Sequence, residues 1–172
     1  MNCLDTITKR NILVTGASGF IGRNLCISLK EKGYSVRAAV RGKLRDVLGA
    51  DEYVQVSDID ELTDWQQALS GVDTVIHLAA RAHIVNDLTD DSINVFRKVN
   101  ALGTERLAKM AAKSGVKRFI FISSVKVNGE GSELPYTEKD VPAPQDAYGM
   151  SKRAAEDALA SIAAETGLGV VI

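Results

Sequence analysis

Val14-Thr15-Gly16-Ala17-Ser18-Gly19-Phe20-Ile21-Gly22 decides the fold of this 172-residue chain. It follows the short apolar run Asn11-Ile12-Leu13. It precedes Arg23-Asn24-Leu25-Cys26-Ile27-Ser28-Leu29-Lys30, where Leu25, Leu29 and neighbouring Ile21 recur at helical spacing. The stretch therefore reads as a strand that turns through glycines straight into a helix. A helix that starts this way leaves several backbone N–H groups without intrahelical partners. With the positive end of the helix dipole, those donors form a site for a pyrophosphate. Gly16 suits the tight turn, Gly19 a close approach of backbone to phosphate, and Gly22 close packing of helix on strand. The spacing G-x-x-G-x-x-G departs from the G-x-G-x-x-G fingerprint. A plain glycine-rich connector would carry the same residues, but a position between a first strand and an amphipathic helix selects nucleotide binding.

The rest of the chain alternates strand and helix. Tyr34–Val40, Glu52–Val56, Asp73–Ala80 and Arg118–Ser123 read as further strands, the fourth (Asp73–Ala80) apolar on both faces as a buried parallel strand is. Helices are expected over 63–69, over 91–114 with Val95, Val99, Leu102, Leu107 and Ala111 on one side, and over 147–166. This pace of alternation implies right-handed crossovers and an open doubly wound α/β sheet. Ser124 to Asp146 holds all three prolines and reads as a long functional loop. Residues 1–10 read as a flexible N-terminus and 11–172 as one nucleotide-binding domain. Gly169-Val170-Val171-Ile172 begins a sixth apolar strand in which the chain stops, so the sequence reads as a fragment that lacks a substrate domain.

Composition narrows the function classes. The chain is 45% hydrophobic and 25% charged with a formal net charge of -1, which supplies no reason for nucleic acid or an anionic membrane as partner. Its two cysteines, Cys3 and Cys26, lack metal-ligand spacing, and no metal site is expected. No apolar run reaches the roughly 18 residues of a membrane span, and no signal peptide is visible, so a cytoplasmic setting is expected.

Tyr148-Gly149-Met150-Ser151-Lys152 puts a tyrosine and a lysine four apart near a helix start, which stacks them on one face. A free tyrosine has a pKa of about 10, and a nearby cation lowers it toward the range useful for proton transfer. Alone, such a pair is an ordinary solvated helix face. Its place after the long loop and the glycine motif changes that reading. His77, in a buried strand, reads as a satisfied core histidine, and His83 has no assigned role.

Thr15-Gly16-x-x-Gly19-x-x-Gly22, Asp58-Ile59, His77-Leu78-Ala79-Ala80, Asn100-x-x-Gly103-Thr104, Ser123-Ser124 and Tyr148-x-x-x-Lys152 occur in the order found in the extended short-chain dehydrogenase/reductases, which this chain resembles from Asn11 onward. The resemblance implies a Rossmann-like doubly wound parallel sheet. It implies that Tyr148 exchanges a proton with a substrate hydroxyl or carbonyl oxygen, that Lys152 also bonds the nicotinamide ribose, and that Ser124 holds the reacting oxygen. The cofactor would meet Gly16, Ser18, Gly19, Phe20, Ile21 and Gly22 at the turn. Asp58 and Ile59 would lie at the adenine, Leu78, Ala79 and Ala80 beside ribose and phosphates, with Asn100 and Ser123 close by. Lys126 and Asn128 would face the substrate.

The second strand ends Ala39-Val40-Arg41, where an acid would select a free ribose 2′-hydroxyl. Arg41, helped by Lys43 or Arg37, can accommodate a 2′-phosphate instead, so NADP is favoured and NAD is possible. Relatives include nucleotide-sugar epimerases, 4,6-dehydratases and 4-keto reductases. Dehydratases typically carry an Asp-Glu pair where this chain has Val125-Lys126, which points away from water elimination. The resemblance thus implies a nucleotide-sugar 4-epimerase of the UDP-glucose type or a 4-keto reductase, homodimeric in its full length through the helices at 91–114 and 147–166. The alternatives are an NADP-dependent ketone reductase of the dihydroflavonol type and a cofactor sensor without catalysis, for which Ser124, Tyr148 and Lys152 would have no use.

Overall fold

The structure, a computed structural model, describes residues 10–42, 47–82 and 90–172. Apart from Arg10, the expected flexible N-terminus lies outside the described residues, as do Cys3, Lys43 and His83. In chain order the elements are β1 (Asn11–Thr15), α1 (Phe20–Glu31), β2 (Ser35–Arg41), β3 (Glu52–Val56), α2 (Gln66–Leu69), β4 (Thr74–His77), α3 (Asp90–Phe96), a π-helical turn Arg97–Leu102, α4 (Gly103–Lys113), β5 (Arg118–Phe121), a 3-10 turn Val125–Val127, α5 (Ala147–Thr166) and β6 (Gly169–Val171). The six strands form one parallel sheet in the order β3-β2-β1-β4-β5-β6. That is the Rossmann-like doubly wound arrangement, and the order reverses between β1 and β4, where such sheets open a crevice.

Strand periodicity sorts the core onto two faces. Ile12, Val14, Val36, Ala38, Val40 and Ile76 pack with Cys26 and Leu29 of α1. Leu13, Ala39, Val75, Phe119 and Phe121 point the other way, onto Leu107 and Ala111 of α4 and Leu159 and Ile162 of α5. Burial pushes the Cys26 thiol up to about 11, so it behaves as packing rather than as a nucleophile.

Four expectations shift in the folded chain. Ile21 is 57% exposed and Leu25 half-buried, so of the three only Leu29 is buried. The helix expected from Thr63 starts at Gln66, because the Thr63 hydroxyl accepts from the Asp60 amide at 2.8 Å and donates to the Asp58 carbonyl at 2.9 Å, which holds a turn there. The strands expected over Asp73–Ala80 and Arg118–Ser123 stop at His77 and Phe121, and the residues beyond them leave the sheet to line the crevice. The helix over 91–114 contains the π turn, whose wider winding rotates its first half against its second. Phe96, Asn100 and Thr104 are therefore buried with Leu107 and Ala111, while Val95 is 39% exposed.

His77, at the end of β4, is fully enclosed. Its Nδ1 lies 2.6 Å from Thr15 Oγ1, and its Nε2 lies 2.9 Å from Thr104 Oγ1. Thr104 donates its own proton to the Asn100 carbonyl at 2.6 Å, so its oxygen accepts from Nε2–H and Thr15 donates to Nδ1. Burial, with the Lys152 cation nearby, holds the imidazole down at about 3. A histidine kept neutral in the fold stabilises it fully above the unfolded-state pKa of about 6.5, and that stability is lost as pH falls from there toward 3. Urea unfolding at several pH values should therefore show a flatter acid limb in His77→Gln than in the parent between about pH 6 and 4. An unchanged slope would show that His77 does not titrate on unfolding.

Candidate active site

The glycine turn is built by close approach. Gly16 has φ +67°, and a β-carbon there would sit 2.8 Å from the Ala79 amide nitrogen, which follows β4. One on Gly22 would overlap the Gly16 carbonyl oxygen and lie 2.7 Å from Ala17 Cα. The Gly19 amide closes the turn on the Gly16 carbonyl at 3.0 Å. Gly19 caps α1 without a side-chain bond and no acid occupies the first turn, so the amides of Phe20, Ile21 and Gly22 have no intrahelical acceptor. Phe20 is 89% exposed, Ser18 and Ile21 are exposed, and the Ser18 carbonyl accepts from Arg23 Nε at 2.8 Å. Across the crevice run half-buried Leu78 and Ala79 and exposed Ala80; the Ala79 amide bonds Thr15 Oγ1 at 3.2 Å. A cradle of backbone donors with no room for side chains fits a dinucleotide pyrophosphate.

At the end of β5 stands the second group. Ser124 accepts the Lys126 amide at 3.3 Å and so caps the 3-10 turn. Tyr148 lies in the first turn of α5, its ring edge-on to Phe96 with centroids 6.1 Å apart. Burial raises the Tyr148 phenol above its usual range; a hydrogen bond with Ser124 opposes this, Asp146 adds to it, and the Lys126 cation lowers it. Lys152, one turn on, is 2% exposed and donates to the Ile122 carbonyl at 2.5 Å, with its ammonium 3.8 Å from the centre of the Phe121 ring. Burial brings Lys152 down to about 8, partly offset by Glu156. The sequence reading assigned the cation beside the phenol to Lys152; in the folded chain the cation acting on Tyr148 is Lys126.

Asn100, in the π turn, joins the two groups. Its Oδ1 accepts from the Arg81 amide at 2.8 Å; its Nδ2 donates to the Arg81 carbonyl at 3.0 Å and to Ser151 Oγ at 3.0 Å. Ser151 in turn donates to the Tyr148 carbonyl at 2.7 Å. Ser123, expected at the cofactor, gives its hydroxyl to Glu156 at 2.5 Å. Asn128 lines an open cleft of about 670 Å³ together with Ser123, Ser124, Tyr136 and Glu156. Ile59 packs its side chain over Gly103, where a β-carbon would come within 2.5 Å. Arg41 bonds Asp58 at 3.2 Å, both side chains largely in solvent. Arg37 cannot assist Arg41, because it is committed to Glu52 at 2.7 Å and to the carbonyls of Ala68 and Ser70 at 2.9 and 2.7 Å. Thr15 and Thr104 entered the sequence reading only as members of motifs, without a role for their hydroxyls, and Ser151 was not singled out, since hydroxyl residues in a helix or strand carry no spacing signal.

Among the described residues no helix is long and apolar enough to cross a membrane, and no cluster of ligating side chains suits a metal ion. Residues 12–172 match the NAD dependent epimerase/dehydratase family. The chain is 45% identical over 171 residues to a UDP-glucose 4-epimerase of Vibrio cholerae, covering 98% of this chain and 52% of that protein. Among solved structures, MoeE5 in complex with UDP-glucuronic acid and NAD superposes with a TM-score of 0.79 at 31% identity, over 93% of this chain and 52% of that one. A UDP-glucuronic acid 4-epimerase from Bacillus cereus in complex with NAD superposes with a TM-score of 0.79 at 27% identity, over 94% of this chain and 55% of that one. The chain spans about half the length of these relatives. A glycine turn at the sheet's switch point, a serine–tyrosine–lysine group one strand away and a match over nearly the whole chain together establish that this protein belongs to the NAD dependent epimerase/dehydratase family, within the extended short-chain dehydrogenase/reductases.

Proposed function

We propose that this chain is the dinucleotide-binding part of a nucleotide-sugar 4-epimerase or 4-keto reductase in which Tyr148 moves the proton. The observation that carries the reading is that Ser124 at the exit of β5, Tyr148 in the first turn of α5 and the buried Lys152 ammonium one turn further along the same helix stand together at the mouth of the sheet. The 45% identity to a UDP-glucose 4-epimerase favours epimerisation and a UDP-sugar substrate. Val125-Lys126 in the turn after Ser124 leaves no acid–base pair for elimination, which favours the same choice over dehydration. Oxidation of a sugar carbinol to a ketone, and reduction back, is the chemistry common to both.

Gly16, Gly19 and Gly22 would hold the pyrophosphate, Asp58, Ile59 and Arg41 the adenosine, and Leu78, Ala79, Ala80 and Lys152 the nicotinamide half; when bound, the nicotinamide supplies the hydride acceptor and donor. Tyr148 keeps its proton at Oη in the resting chain, because burial outweighs Ser124 and Lys126. It is thus poised to donate to a carbonyl oxygen, and Ser124 orients that oxygen. Asn100 fixes the crevice backbone at Arg81 against α5, so the two halves of the site keep their spacing. In the full-length protein, Tyr148→Phe should reduce kcat on a UDP-hexose by roughly 10²–10⁴-fold, and Ser124→Ala by less. Full activity in Tyr148→Phe would end the proposal.

Cofactor choice rests on Arg41. Its partner Asp58 is 82% exposed and Arg41 itself 75%, and exposed pairs of this kind contribute about 0–1 kcal/mol. A 2′-phosphate can therefore recruit Arg41 at little cost, which favours NADP; the NAD held by the similar structures is the competing choice. In calorimetry NADP should bind more tightly than NAD, and Arg41→Asp should erase or reverse the ratio. A ratio unmoved by Arg41→Asp would leave Arg41 no part in the choice.

A homodimer of the full-length protein is part of the same proposal. On the two helices expected to pair, Ala155 and Ile162 are buried in the chain's own core, so the outward surface is carried by residues such as Val95 and Ala154. Light scattering of the full-length protein should give twice the monomer mass, and introducing an arginine by Ala154→Arg should return it to monomer.

A further inference from the structure

Lys126 does more than act as a charge on the Tyr148 phenol. It follows Ser124 by two residues, and its ammonium lies 2.9 Å from Glu130 Oε1 and 2.5 Å from Asp146 Oδ2. Asp146 is the N-cap of α5, its other oxygen accepting the Gly149 amide at 2.6 Å. The main chains are pressed together at the same place: a β-carbon on Gly149 would come within 2.6 Å of the Lys126 carbonyl oxygen. The 3-10 turn carrying Ser124 and the helix start carrying Tyr148 thus meet with no side chain between them. A single cation pins the junction.

We propose that Lys126 is the positioning residue of this site: by bridging Glu130 and Asp146 it locks the turn that bears Ser124 onto the first turn of the helix that bears Tyr148. The proposal rests on the reading of Ser124 and Tyr148 given above. A capping aspartate with its second oxygen unpaired would hold α5 equally well in isolation, since one oxygen suffices for the Gly149 amide. What the second oxygen adds is a tether to the opposite backbone. Removing the ammonium would leave Asp146 as an unneutralised acid acting on the phenol, Glu130 without this ion pair, and the turn free to move.

The electrostatics are consistent with this geometry. Burial opposes ionisation of Asp146, but Lys126 and the Gly149 amide outweigh it and hold the carboxyl below its usual range. The Asp146 and Glu130 carboxylates hold the Lys126 ammonium above its own. The phenol faces Asp146 and Lys126 as charges, Ser124 as a hydrogen-bond partner and Phe96 of α3 as an uncharged ring, with Lys152 one turn further along its own helix. Lys126 is thus the charge on the neighbouring element that opposes burial and Asp146 without outweighing them.

The test uses this chain without turnover. Tyr148 is titrated by phenolate absorbance, as the difference between the parent and Tyr148→Phe, and amide hydrogen exchange is followed at Val127, Asn128, Gly149 and Met150. Lys126→Met should move the Tyr148 midpoint to higher pH and accelerate exchange at both pairs of amides by about three- to tenfold. Lys126→Arg should restore both. Asp146→Asn keeps the cap but loses the tether, so it should accelerate Val127 and Asn128 while moving the midpoint to lower pH. Local unfolding cannot mimic this pattern, because a freed tyrosine titrates lower than the buried one in either variant. Unchanged exchange in Lys126→Met, or midpoints that move the same way in Lys126→Met and Asp146→Asn, would overturn the proposal. Full activity in Tyr148→Phe would instead sink the function and leave the clamp standing.

Discussion

Around Gly16 three pieces of backbone come closer than side chains permit. The turn after β1, the start of α1 at Gly22 and the segment leaving β4 at Ala79 meet within contact distance of one carbonyl and one α-carbon. A β-carbon at Gly16 or Gly22 would force one of them away, in a region where the neighbours are main chain and cannot rotate aside. The crevice between β1 and β4 exists because these approaches are allowed. The free amides at the start of α1 open into it because Gly19 brings no side chain to occupy them.

The same strand ends feed a buried polar chain. Thr15, His77, Thr104 and the Asn100 carbonyl are joined hydroxyl to ring to hydroxyl to carbonyl, and each donor finds one acceptor. The Asn100 side chain carries the linkage on to Arg81 and to Ser151 beside Tyr148. Such networks hold geometry well when every member is satisfied and fail badly when one is removed. The π turn is what turns Asn100 inward, since the face of α3 and the face of α4 differ by the rotation that its wider winding introduces. Winding defects of this kind recur at functional sites, and here the defect links the glycine crevice to the helix bearing Tyr148.

Three ionisable groups near the site are held away from their ordinary behaviour by burial. His77 is kept neutral, Lys152 is brought to within reach of neutrality, and Tyr148 is kept protonated. They differ in what opposes the desolvation. His77 is helped further down by a neighbouring cation, Lys152 is partly rescued by Glu156, and Tyr148 has Ser124 and Lys126 against Asp146. Burial therefore dominates the phenol, and the cation that opposes it comes from the turn after β5.

The six strands, their parallel alternation with helices and the glycine turn were all legible in the residue order, because apolar periodicity and glycine placement are local properties of a chain. The 147–166 helix was readable to its ends, with Gly167 left-handed beyond it, for the same reason. What stayed hidden were relations between residues distant in sequence. Asp146 reaches Lys126 across 20 positions, Ser151 reaches Asn100 across 51 and His77 reaches Thr15 across 62. The setting of Lys152 was hidden in the same way: spacing of four puts it on one helix face with Tyr148, but the Ile122 carbonyl and the Phe121 ring, both from β5 and its exit, hold its ammonium. The π turn likewise left no mark on the pattern, and Val95 and Val99 were aligned with Leu107 by a regular period that the folded helix does not keep. A sequence determines which faces are apolar and where the backbone can turn; which polar atoms then meet is decided by the crossing of strand ends and helix starts, since hydrogen bonds and ion pairs depend on distances that only packing sets.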